Sequence, residues 1–168
     1  MKTDQDTSQT PQDSLKDDER GAVMVEFLIA FLPIFFSFWC ILQSAGLYSA
    51  KLVVMHSAYL GARGAGVVLA DDPKNYGGED QFAAKGKRND AIKKAVMRGL
   101  IANGSLQTTT ADIKVSGTGR RGIATVEVSV RYRCGLPVAD KVVCGLGGSK
   151  VLKSKASFAI HGADYKYP

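Results

Sequence analysis

The sequence predicts an α+β chain: one long apolar helix near the N-terminus, leading into a small domain of helix and antiparallel sheet. Three features carry that expectation. The 24 residues from Phe27 to Ala50 hold no charge, small residues then recur every fourth position at Ala58, Ala62 and Gly66, and beyond Gly104 the apolar period drops to two. Periods near four and of two belong to one face of a helix and one face of a strand.

Met1 to Arg20 is rich in Asp, Gln, Ser and Thr around a lone Leu15. Such a segment buries too little apolar surface to fold, so residues 1–21 read as a disordered leader. Its six carboxylates outnumber Lys2, Lys16 and Arg20, and its removal would leave a chain more basic than the formal +6 of the whole. Residues 22–50 read as a transmembrane helix, because the uncharged run alone reaches about 36 Å at 1.5 Å per residue. Pro33 removes one backbone hydrogen bond and is expected to kink the span, which membrane helices tolerate. Lys16 and Arg20 before the run balance Lys51 and Arg63 after it, so basic residues do not orient it.

Residues 51–69 continue the helix outside the membrane, since Ser44 to Leu69 has no proline. The small-residue stripe fits either the domain's own core or a neighbouring subunit. Gly61, Gly64 and Gly66 each lower intrinsic helix stability by about 1 kcal/mol, so packing must hold this stretch. Residues 70–168 form the domain. Asp71, Asp72, Pro73, Asn75, Gly77 and Gly78 make a loop. A second helix is expected from an N-cap at Asp80 to a stop at Asn103-Gly104, with Ala91, Ile92, Ala95, Val96 and Leu100 inward. Its Lys87, Lys93, Lys94 and Arg98 read as a solvated face, or as a docking patch for a partner or lipid headgroups.

Alternation then marks strands around Ile113 and Val115, from Ala124 to Tyr132, and from Leu152 through Ala156 and Phe158 to Ile160. The 17 residues from Cys134 to Lys150 show no regular pattern and need a tether. Cys134 and Cys144 are expected to supply it as a disulfide, which suits an oxidising compartment and puts the domain outside the cytoplasm. Cys40, inside the span, reads as a small apolar filler.

Several function classes find no support. His56 and His161 lack ligand-like spacing with Cys, Asp or Glu, so no metal, cofactor or enzyme activity is expected. Gly117, Gly119 and Gly122 match G-x-G-x-x-G but lie between strands, where they read as a hairpin turn rather than a phosphate cradle. The basic excess reads as scattered surface lysines, and nucleic acid is not an expected partner. A secretory signal cut near Ser44-Ala45-Gly46 would need an acidic leading region and an overlong apolar core.

The remaining feature is Arg20-Gly21-Ala22-Val23-Met24-Val25-Glu26-Phe27. A carboxylate at the threshold of an apolar helix either reaches headgroup water or serves a partner. Gly21 followed by Ala22 to Val25, Glu26 and Phe27 resembles the processing site of type IV prepilins. Leu32-Pro33 and Ala58-Tyr59-Leu60-Gly61-Ala62-Arg63 extend the resemblance to TadE-like pseudopilins of tight-adherence pilus systems, over about Arg20 to Leu69. The resemblance implies a pilin-like fold and a prepilin peptidase that cuts between Gly21 and Ala22. It also implies pairing of Glu26 with the new ammonium of a neighbouring subunit. The implied partners are that peptidase, other minor and major pilins, an inner-membrane assembly platform and membrane lipid. The chain would sit in the bacterial inner membrane by a single pass, its domain periplasmic or extracellular. Major pilins of such systems are generally much shorter, so a minor subunit acting at initiation or at the tip is expected. The alternative from another class is an uncut single-pass sensor or ligand-binding module.

Overall fold

The computed structural model of the chain describes residues 19–101, 106–117, 119, 122–135, 139–145 and 147–160. Helix α1 spans Glu19–Val68 and continues through Pro33. A 3-10 turn at Pro73–Tyr76 and helix α2, Gly86–Leu100, follow. Then come β1 (Leu106–Ser116), β2 (Ile123–Arg133), a short helix α3 (Ala139–Val143) and β3 (Ser149–Ala159). The chain forms two compact units, one ending at Trp39 and one beginning at Cys40.

In the first unit α1 is apolar on every side and exposed, from Val23, Met24 and Val25 to Phe36 and Phe38. A helix that is hydrophobic all round belongs in lipid or deep in protein. Phe27, Phe31, Phe35 and Trp39 recur every fourth residue, and their rings lie 5.4, 5.6 and 5.4 Å apart in succession.

The second unit begins inside the run that the sequence assigns to the membrane. Gln43 and Ala50 are already buried, so the domain takes in α1 from Cys40 instead of starting at residue 70. Its core joins Ala50, Val54, Ala58, Ala62, Ala65 and Leu69 of α1 and its end to Ile92, Val96 and Leu100 of α2 and to Ala124, Val126, Val128 and Val130 of β2. The small-residue stripe is therefore domain core. At Gly61 an added Cβ would press into Val96 and come within 3.1 Å of Val126, and at Gly66 it would lie 2.7 Å from the Phe158 ring. Helix, sheet and α2 approach that closely only because these positions lack side chains.

The strands form one antiparallel sheet in the order β1-β2-β3. Alternating burial along β2, with Ala124, Val126, Val128, Val130 and Tyr132 inward, fixes the register, since a slip of one residue would turn that row to water. Ile123 pairs with Ala159 and Arg133 with Ser149, while a bulge interrupts β1 between Gln107 and Asp112. Gly117 and Gly119 take φ of 114° and 107°, so the G-x-G-x-x-G match is the β1–β2 hairpin connection.

Cys134 and Cys144 are joined by a disulfide, their Cα atoms 6.6 Å apart. Closing so short a loop stabilises by about 3 kcal/mol in the chain-entropy account. The segment it staples is not without regular structure as its sequence suggests, for α3 lies inside it.

Helix α2 also differs from expectation. It starts at Gly86, its N-cap is Lys85, and Asp80 lies exposed in the loop before it. Glu79 does the capping instead: its carboxylate oxygens accept from Lys87 N at 2.8 Å and from Arg88 N at 3.3 Å. At the other end the helix closes on Ile101, whose N–H donates to Met97 O, and the expected stop at Asn103-Gly104 lies outside the described residues.

Candidate functional site: the apolar helix and its threshold

Gly21, Ala22 and Glu26 are all exposed and all helical. The helix already includes Glu19, the first described residue, so the bond between Gly21 and Ala22 is helical. Glu19 and Arg20, read from the sequence as part of a disordered leader, are helical, and residues 1–18 lie outside the described residues. Glycine weakens the helical turn it stands in. Opening Gly21-Ala22 for a protease would release the backbone hydrogen bonds of that turn, at about 1 kcal/mol each. Among the described residues nothing lies within 4 Å of a Cβ placed on Gly21.

Ala22 and Glu26 are four residues apart on one helix face. A chain beginning at Ala22 would carry Glu26 near the start of its helix, where a carboxylate opposes the positive end of the helix dipole. Beyond it, the next charged residue is Lys51. Among the described residues one helix, within Gly21–Val68, is long and apolar enough to cross a membrane.

Sequence reasoning missed the residue that ends this helix. Arg88, in the first turn of α2, is fully buried. Its guanidinium donates to Val68 O, at the end of α1, and at 2.9 Å to Asp71 O, which also accepts from Gln81 Nε2 at 3.5 Å. The Tyr76 ring covers it, 4.5 Å from Arg88 Cζ to the centroid. Burial, followed by the charge of Asp71 and a hydrogen bond to it, raises the Tyr76 hydroxyl above its ordinary pKa of 10.0. The available signal was the spacing of Arg88 with Ile92, Val96 and Leu100, four residues apart on the buried face.

Among the described residues no group of His, Cys, Asp or Glu is arranged to hold a metal ion. His56 is exposed, and His161 lies outside the described residues. The architecture is thus an α+β domain built onto one helix whose exposed apolar part can cross a membrane. Compared with known proteins, the chain matches no family model, no curated protein and no solved structure.

Proposed function

We propose that the chain is a minor pilin-like subunit, a TadE-like pseudopilin, that a prepilin peptidase cuts between Gly21 and Ala22. It is held in the inner membrane by α1 and serves initiation or the tip of a tight-adherence filament or a related machine. The observation that carries this reading is the double use of one helix. Up to Phe38, α1 exposes apolar side chains in every direction; from Ala50 it buries a stripe of small residues under an antiparallel sheet. A pilin-like subunit needs both, one part for lipid and then for a bundle of neighbouring helices, the other as the spine of its domain. The disulfide supports a domain outside the cytoplasm. In this reading the chain is the substrate of an enzyme, and its partners are the peptidase, other pilins and the assembly platform.

N-terminal sequencing of membrane-extracted protein tests the reading and separates it from an uncut sensor. The expected first residue is Ala22 when the peptidase is present, with the precursor retained when it is absent. Recovery of a chain starting at Met1 or Leu47 in the presence of the peptidase would falsify it.

A further inference from the structure

Where the charge-free run of α1 ends, the second unit holds a groove of ≈ 320 Å³ between the helix and the start of β3. Leu47, Tyr48 and Lys51 line it from α1, and Lys150, Val151 and Lys153 from β3. All three lysines are exposed, and no acidic residue lines the groove among the described residues. Lys153 also borders a neighbouring dent with Asp112 and Glu127, so Lys51 and Lys150 are the cations without acidic company in their lining.

The depth of this groove along the helix follows from length. About 20 helical residues fill the hydrocarbon of a bilayer. Counted from Ala22, they reach Ile41, where the domain takes over the helix, so Leu47 to Lys51 follow about 9–15 Å further on and face the headgroup layer. Tyr48, 67% exposed, is the kind of side chain that lies at that level. Lys150, the second residue of β3, lies on the same face as buried Leu152, the face turned toward α1, which brings it beside Lys51, while Val151 and Lys153 alternate to the other face and border the groove at its rim. Leu47 and half-exposed Val151 add apolar walls.

We infer that this groove binds the phosphate headgroup of an anionic phospholipid, with Lys51 and Lys150 around the phosphate, Lys153 at the rim and Leu47 and Val151 against the glycerol end. The site would fix how far the domain stands from the bilayer, which a lone apolar helix leaves free to slide. It rests on the membrane-anchored reading of α1 and is independent of processing and of filament assembly.

The test uses the full chain in phosphatidylcholine vesicles carrying trace spin-labelled phosphatidylglycerol or spin-labelled phosphatidylcholine, with the protein-immobilised fraction of each read by electron spin resonance. A preference for phosphatidylglycerol of at least about fivefold is expected, shrinking as salt rises. The variant Lys51→Gln/Lys150→Gln/Lys153→Gln should fall to near parity, while Lys87→Gln/Lys94→Gln/Arg98→Gln keeps the preference. Equal association in the unaltered chain overturns the inference, as does a preference that survives the groove variant. Loss of the preference in inorganic phosphate at constant ionic strength would reassign the groove to free phosphate and overturn the lipid. Alkaline carbonate extraction of the same vesicles reports separately on the anchor. Release of the chain sinks both readings, and retention without a headgroup preference sinks the groove alone.

Discussion

A buried guanidinium is disfavoured by several kcal/mol unless its donors are taken up; Arg88 offsets that cost with two backbone carbonyls and an aromatic face, while its Nε has no hydrogen-bond partner among the described residues. The fork matters more than the charge, because Val68 O and Asp71 O lie on either side of the turn that ends α1. Arg88→Met should therefore destabilise the chain by about 2–4 kcal/mol, having left Val68 O without its donor and Asp71 O with only Gln81 Nε2 at 3.5 Å. Arg88→Lys should recover only part of that, since an ammonium lacks the planar fork. Denaturant unfolding of the full chain in detergent, followed by circular dichroism, reads both, and a lysine variant as stable as the original would remove the geometric argument. Nothing in the local sequence distinguishes Arg88 from Lys87 beside it except the four-residue spacing to Ile92. A cation beside lysines read as solvated can be the inward one when a helix end supplies acceptors, and that end becomes visible only after the chain has folded back.

At the scale of elements, the glycines of α1 divide by what lies opposite. A Cβ at Gly61 would collide with Val96 and crowd Val126, whereas at Gly64 it would meet only Ala95 at 3.6 Å, an ordinary contact. Gly61→Ala should then destabilise by about 1–3 kcal/mol through overpacking. Gly64→Ala should stabilise by up to about 1 kcal/mol through helix propensity. Thermal melting of the two variants side by side checks the opposed signs, and a shared sign would show that propensity or packing alone governs this helix. The same contrast explains what was legible beforehand. The strands were, because alternation in Ala124 to Tyr132 is a local signal that burial of one sheet face obeys. The start of α2 was not, because its cap is Glu79, eight residues before Lys87, brought into place by a loop that turns at Phe82 with φ of 62° and donates Phe82 N–H to Leu69 O. Local sequence favoured Asp80, and tertiary folding used its neighbour.

For the whole molecule the informative junction is where one helix changes surroundings, and the sequence placed that change at Ala50 from charge alone. The domain claims the helix earlier, at Cys40, because Gln43 and Gly46 already meet protein, and an uncharged run cannot reveal whether lipid or a sheet covers it. Length still suffices: from Ala22 to Leu42 the helix is about 31 Å, close to the hydrocarbon thickness. Glu26 then stands near one edge of that thickness, exposed, with no partner needed to hold the fold. Lipid alone would favour valine there, so for a helix that only anchors, Glu26→Val should be harmless or helpful. For a helix that pairs with a neighbour's new ammonium at Ala22, the same change should leave cleavage after Gly21 intact and impair assembly. The two steps separate because Glu26 lies downstream of the bond that is cut and its partner exists only after the cut. Surface-filament yield, beside a blot that resolves precursor from mature chain, measures both. A subunit needed at initiation predicts fewer filaments of ordinary length, while normal filaments with normal processing would leave Glu26 as an interfacial carboxylate and remove the pairing role.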